Sequence, residues 1–283
     1  MLKPKKVTKC LVDADIVSYR AASGTEYVVD PSFIFPKDYV IPKCDIPMVK
    51  GTAEDTIKQV DRLMQYIVDQ TVVFPTKDNL EVYLTGVGNF RHDIAKTTPY
   101  KGNRKDVVKP TNLPQAREHL VERWGAIVSH GEEADDLIGI ASANNDPETT
   151  VVATIDKDMM QLPSWNWNFV KNEWKYVGKD EGNKFFYTQI LTGDRADAIQ
   201  GIHRVGPVKA GKILDGLTTE QELYEACVKA YANSEYAHVN VLELGDSVDS
   251  ALPWATERVL ENARLLWLRR YEGEIWTPPV SDL

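Results

Sequence analysis

Cysteine is scarce in this chain. Only Cys10, Cys44 and Cys227 occur among 283 residues, far apart and with no Cys-x-x-Cys pair. An odd, scattered set excludes a disulfide framework and a zinc cluster, and it fits reduced thiols in the cytoplasm. Long apolar runs are also missing, so no segment approaches the length of a membrane span. The N-terminus is basic (Lys3, Lys5, Lys6), but Asp13 cuts its apolar run short, which is not the pattern of a secretory leader. Internal repeats and low-complexity segments are absent, and with them solenoid and disordered architectures. No EF-hand spacing occurs, which argues against a calcium-binding structural protein.

What is present is a chain able to bury a core, 43% hydrophobic, with a formal charge of −9. A surplus of acid argues against nucleic acid as a partner unless the acid is gathered at one place to hold cations. It is gathered. Gly131 to Ile140 carries Glu132, Glu133, Asp135 and Asp136 among Ala134, Leu137, Ile138 and Ile140, the pattern of a half-buried helix. At helical spacing these carboxylates repel and raise one another's pKa. A divalent cation with oxygen ligands relieves that repulsion; so, less demandingly, does a solvated acidic helix start. Further pairs stand at Asp13/Asp15, Asp156/Asp158 and Asp194/Asp197. Two of these end predicted strands, where open α/β sheets place ligands. Any single pair reads more readily as a turn or cap; together they suit two divalent ions roughly 4 Å apart, the arrangement that activates a water and stabilises phosphoryl transfer.

The element pattern supports such a rim. Strands are expected at 7–12, 80–84, 126–129 and 149–155, helices at 16–22, 52–70 and 114–124 and from the acidic stretch, and one or two short strands over 166–186. Residues 24–51 read as an extended insertion or hairpin. After Tyr187 the character turns helical, with helices at 220–236 and 257–270. The fold class is α/β with a mainly parallel sheet, followed by a C-terminal helical region.

Two further segments carry chemistry. Arg91, His92, Lys96, Lys101, Arg104, Lys105 and Lys109 cluster in a loop or mobile helical segment over 86–113, with Phe90 and Tyr100 among them. Cations track a phosphate backbone and aromatics offer faces to unpaired bases, although a solvated basic loop has the same composition. Lys101 and Arg104 are spaced to share a helical face and grip one phosphate. In Gly201 to Leu214, Gly206-Pro207 places proline at the first helical position, with Lys209 and Lys212 following. Free amides there bind phosphate without reading sequence; an ordinary helix–turn–helix corner is the plain alternative.

Taken in order, Leu11-Val-Asp-Ala-Asp15, Tyr100-Lys-Gly-Asn-Arg-Lys105, Glu133-Ala-Asp-Asp136, Asp156-Lys-Asp158, Gly193-Asp-Arg-Ala-Asp197 and Gly201-Ile-His-Arg-Val-Gly206 resemble the 5′-nucleases of the flap-endonuclease family, especially the phage-type 5′→3′ exonucleases. The resemblance covers roughly residues 7–215, and Asn262-Ala-Arg-Leu-Leu266 also looks like the family's closing helix. It implies a PIN-like core over 1–190 with an arch at about 86–113, and a helical region over 191–283 with a helix–hairpin–helix-type element at about 194–215. It implies Mg²⁺ or Mn²⁺, two or more ions, held by Asp13, Glu133, Asp135 and Asp136 at one site and by Asp156, Asp158, Asp194 and Asp197 at another. Lys101 and Arg104 become the residues at the scissile phosphate. Arg91, Tyr100, Lys105, Gly201, Ile202, Val205, Gly206, Lys209 and Lys212 become contacts to DNA, with K⁺ at the hairpin. The implied substrates are DNA 5′ ends, flaps or gaps, with RNA–DNA hybrid as a further substrate and replication proteins as partners. The implied location is the cytoplasm, that of the host for a phage protein. One position departs: the family's metal-site aspartate on the strand before the arch is replaced by Thr85 or Gly86, and Asp15 is the nearest acid to stand in for it. The competing readings are a PIN-type ribonuclease and a non-catalytic branched-DNA-binding protein.

Overall fold

The computed structural model describes residues 3–28, 48–71, 76, 78–104, 107–235 and 248–279. In chain order its elements are β1 (Lys9–Asp13), α1 (Ala14–Gly24), β2 (Glu26–Val28), β3 (Met48–Lys50), α2 (Ala53–Thr71), β4 (Leu80–Val87), α3 (Arg91–Ile94), α4 (Leu113–Trp124), β5 (Ile127–His130), α5 (Ala134–Ala143), β6 (Thr150–Ala153), β7 (Ser164–Asn168), β8 (Glu173–Val177), α6 (Lys179–Thr192), β9 (Gly193–Asp194), β10 (Ile199–Gln200), α7 (Pro207–Ile213), α8 (Glu220–Ala232) and α9 (Val248–Leu266).

The main sheet runs β5-β4-β1-β6-β7-β8. Every neighbouring pair is parallel except β7 with the edge strand β8. Because strand side chains alternate, the central strands feed two cores. Cys10, Val12, Val82, Leu84, Val151 and Ala153 pack with Val17, Val60, Met64 and Leu120 from α1, α2 and α4. Leu11, Tyr83 and Val152 face the other way, onto Ala134 and Ile138 of α5 and onto Met159 and Leu268. A sheet covered on both faces explains why these strands read as apolar runs. A third core joins α6 to α9, where Phe186, Tyr187, Leu223, Tyr231, Ala255, Val259 and Ala263 are all buried.

The insertion begins and ends as an antiparallel pair, β2 with β3, and the segment between them, Cys44 included, lies outside the described residues. Cys10 and Cys227 are buried free thiols, and burial pushes the Cys10 thiol up to about 12. Both are inert by that measure. Two elements differ from the sequence reading. The stretch 179–186, expected to be extended, belongs to α6: Gly182, Phe186 and Ile190 recur at helical spacing on its buried side, while the adjacent aromatics imitate a strand. The last helix starts nine residues earlier than expected, carries Pro253 within its second turn, where one backbone bond is lost, and stops at Leu266. No helix among the described residues is long and apolar enough to cross a membrane.

Candidate metal centre

The C-terminal ends of β1, β4 and β6 and the start of α5 meet at one rim of the sheet. Asp13, the last residue of β1, is 3% exposed and accepts hydrogen bonds from Thr154 Oγ1 (2.9 Å) and, as the cap of α1, from Ile16 N (3.4 Å). Beyond β6 the chain enters a 3₁₀ turn, Lys157–Gln161, capped by Asp156, whose Oδ1 accepts from Asp158 N at 2.8 Å. Asp13, Asp15, Glu133, Asp135, Asp156, Asp158 and Asp197 line one cavity of about 290 Å³ together with Lys101, Arg104 and Thr85.

Their electrostatics show the strain of that gathering. Burial and then the charge of Asp15 push the Asp13 carboxyl up to about 7. Burial raises Asp135 well above the usual range, and Asp13, Asp156 and Glu133 add to it. Asp158 rises through burial and Asp156, and Asp197 rises through burial even though Lys101 and Arg104 oppose it. The protein's own cations answer part of this charge. Lys101 Nζ pairs with Glu133 and lies 3.8 Å from Asp197; Arg104 Nη2 sits 2.6 Å from Asp197. Lys157, which sequence reading passed over, bridges Asp194 at 2.5 Å and Asp158 at 3.1 Å. Its alternation with two acids was the available signal.

Asp136 and Glu132 are placed elsewhere. Asp136 is fully buried and takes a two-pronged pair from Arg91, Nη1 at 2.6 Å and Nη2 at 2.8 Å, plus a bond from the Glu133 amide at 3.1 Å. Glu132 pairs with Arg269 at 2.7 Å. The helix begins only at Ala134, so the repulsion expected among four helical carboxylates is relieved by geometry and by two arginines. Asp136, expected as a metal ligand, is a structural acid. Arg91, expected on DNA, is 1% exposed and also donates to the carbonyls of Leu265 and Trp267; a guanidinium so enclosed cannot reach a phosphate.

Tyr100 needs a similar correction. It is 4% exposed, its hydroxyl lies 2.9 Å from both Glu133 and Asp197, and Lys101 covers its ring, so it offers no face to a base. Lys101 and Arg104 do reach the same cavity, but not along one helical face. Lys101 has φ +53°, and its left-handed bend precedes a 3₁₀ turn, Gly102–Arg104. Among the described residues of 88–112 the helical structure is α3 and that turn; Lys105 lies outside them. The segment is latched to the loop after β9: the Lys101 amide donates to Asp197 O (2.9 Å), Thr98 Oγ1 to Ala198 O (2.6 Å) and Asn103 Nδ2 to Arg195 O (2.9 Å).

The end of β4 explains the departure at Gly86. A Cβ there would stand 1.9 Å from the Ser129 carbonyl oxygen, so no acid fits. Thr85 lines the cavity instead, its Oγ1 accepting from the Ala134 amide at 3.0 Å. The Thr85 amide donates to Asp15 Oδ2 at 3.0 Å, and Arg117 pairs with Asp15 Oδ1 and the Thr85 carbonyl. Asp15 therefore stands over the strand end that lacks its own carboxylate. Arg117, missed in the sequence, lies on α4 with no motif to mark it.

Asp194 is buried on Lys157 and the Ala196 amide, outside that cavity's lining. In the hairpin, Ile202 is buried in the helical core, and Gly201 lies so close to Thr192 that a Cβ would meet its carbonyl carbon at 2.1 Å. Val205 packs on the same core, whereas Gly206, Lys209 and Lys212 are exposed.

Oxygen donors dominate the cavity, which suits a hard divalent ion such as Mg²⁺ or Mn²⁺. Among the described residues no group of three His, Cys, Asp or Glu side chains is arranged to hold an ion as it stands. Lys101, Arg104 and Lys157 sit among the carboxylates, and burial first, then neighbouring acids, still holds the Asp13 and Asp135 carboxyls above the usual range.

Comparison with known proteins agrees with this architecture. No protein-family model matches the chain. Over 155 residues it is 28% identical to DNA polymerase I of Deinococcus radiodurans, a match that spans 50% of this chain and 16% of that polymerase. Two solved structures from bacteriophage T5 share its fold: a 5′-exonuclease with zinc ions, and a flap endonuclease with DNA and metal ions. Each aligns with a TM-score of 0.56 at 14% identity, covering 91% of this chain and 88% of the other.

Proposed function

We propose that this chain is a divalent-metal-dependent DNA phosphodiesterase, a 5′→3′ exonuclease or flap endonuclease. The observation that carries the reading is the meeting of Asp13, Asp135, Asp156 and Asp158 with Lys101 and Arg104 around one cavity. Gathering one buried and three half-buried acids at one place costs folding energy that a scaffold without a cation to hold has no reason to spend. The fold shared with a T5 flap endonuclease bound to DNA and metal, and the likeness to a DNA polymerase I, support the same substrate class.

In this reading Asp13, Glu133, Asp135, Asp156 and Asp158 would hold Mg²⁺ or Mn²⁺, with Asp15 standing over the strand end at Gly86 and Asp197 at the cavity's edge on Arg104, while Asp194 stays outside the lining and holds Lys157. When bound, such ions lower the pKa of a water and stabilise charge developing on the phosphoryl oxygens. Lys101 and Arg104, now resting on Glu133 and Asp197, turn to the oxygens of a phosphodiester that enters the cavity. Their charge-assisted bonds orient the phosphorus and strengthen as negative charge builds there. The duplex lies along the turn after β10 and the start of α7, where exposed Lys209 and Lys212 meet phosphates without reading sequence, and a monovalent cation such as K⁺ would add positive charge there. Residues 1–190 act as the nuclease core and 191–283 as the duplex-binding region.

A branched-DNA binder without catalysis is the second reading, favoured only by the strand end at Gly86. One digest separates them. With 5′-labelled duplex, flap and RNA–DNA hybrid, the nuclease shortens DNA in Mg²⁺ and not in EDTA; a binder retards flaps in both and cuts none.

A further inference from the structure

The chain after α9, Trp267–Arg270, runs from the end of the helix at Leu266 between α5 and the 3₁₀ turn that bears Asp158, with Leu268 packed on Ala134, Ile138 and Met159. Gln161 at the end of that turn is 2% exposed and bonds to the end of α9 and this strap through its side chain and its carbonyl. Its Nε2 donates to Leu266 O at 2.8 Å, its Oε1 accepts from the Leu268 amide at 3.4 Å, and its carbonyl accepts from Arg270 at 3.1 Å. The same Nε2 donates at 2.9 Å to Oε1 of Gln189, which is 4% exposed on α6, and Gln189 Nε2 donates at 2.7 Å to Asp158 Oδ1.

We infer that Gln161 and Gln189 form a relay by which the C-terminal strap fixes the orientation of Asp158, so that both are positioning residues for the cation site. The inference rests on the nuclease reading above. Each link has one workable polarity: a carboxylate only accepts, so Gln189 must present its amide nitrogen to Asp158 and its oxygen to Gln161. Gln161 must then donate, and the strap's carbonyl and amide hold it in that sense. Buried amides bonded this completely have few other rotamers open to them. The strap also fixes the opposite wall, since Arg91 and Arg269 tie it to Asp136 and Glu132 beside Glu133 and Asp135. It therefore sets the spacing between the acids of α5 and those of the turn. Partners behind metal ligands of this kind change ion affinity by about 10–100-fold when removed.

The test is Mn²⁺ titration calorimetry on the full chain, alongside melting and flap-DNA binding in EDTA. Gln189→Leu should weaken Mn²⁺ binding about tenfold, and Gln161→Met should weaken it by a smaller factor, while flap affinity in EDTA stays at the wild-type value. A packing role alone would lower the melting temperature and leave the Mn²⁺ affinity of the folded protein unchanged. Unchanged affinity in either folded variant overturns the relay, and should Gln189→Leu fail to fold, Gln161→Met decides alone. A wild-type chain that binds no Mn²⁺ overturns the metal reading itself and the relay with it, a result distinguished by appearing before any substitution is made.

Discussion

Asp135 and Asp136 are consecutive residues in the first turn of α5, yet their carboxylates meet different surroundings. Asp136 is enclosed with the guanidinium of Arg91 and two backbone amides. Burial alone would lower the Arg91 pKa, but Asp136 outweighs it and raises it, and every polar atom of that carboxylate has a hydrogen-bond partner. Asp135 opens on the cavity, where Asp13, Asp156 and Glu133 add negative charge and Lys101 offsets only part of it. A helical turn presents neighbours about 100° apart, and here that angle separates a side that holds the fold together from a side that lacks positive charge. Acid content alone does not mark a metal site; on α5 the acid without its own arginine is the one that opens on the cavity.

The comparison breaks most sharply at Arg91. Arg91→Met leaves a buried carboxylate without its partner and should cost about 3–5 kcal/mol of stability, read by urea denaturation. A loss under 1 kcal/mol would mean that Asp136 is as relaxed as a surface acid. On the cavity side, Lys101→Met should lower kcat on flap DNA by about 10²-fold or more and leave Kd for DNA in EDTA near the wild-type value. Equal losses in kcat and binding would make Lys101 a general DNA contact.

The third effect is in pH. The folded Asp13 carboxyl stands at about 7 against 3.8 for the free side chain, so between those values the native state binds more protons than the unfolded one. Stability of the metal-free protein therefore falls as pH rises through that window, and Asp135 acts in the same direction. Denaturation in EDTA at pH 5 and 7.5 should show a smaller pH difference for Asp13→Asn than for wild type, and saturating Mg²⁺ should restore stability at the higher pH. The smallest effect is at the hairpin: Lys212→Ala should weaken duplex binding modestly and lower the salt slope by about one.

The sheet was legible because apolar β-branched runs ending in acids have few other readings, and Val7 to Asp15 is the clearest of them. The cavity was legible through Asp13, Asp135, Asp156 and Asp158, whose side chains share strand ends and turn starts. What stayed hidden depends on contacts distant in sequence. Nothing near Arg91 announces that Asp136 lies 45 residues away as its partner, and composition made it look like a DNA contact. Tyr100 misled for the same reason, because an aromatic among cations reads as a stacking face until its burial is seen. Gly86 looked like a lost ligand, whereas the Ser129 carbonyl leaves room for nothing larger. The alternation of aromatics and polars over 166–186 suggested strands throughout, and it holds for β7 and β8 but runs on into the first half of α6.

The most direct measurement is Mn²⁺ binding, followed by electron paramagnetic resonance, in wild type, Asp135→Asn and Asp136→Asn. The wild-type chain should bind saturably, Asp135→Asn should lose most of that affinity, and Asp136→Asn should keep it in whatever fraction remains folded. Equal binding by all three, or loss confined to Asp136→Asn, would contradict the division of labour on α5 and the cation site with it.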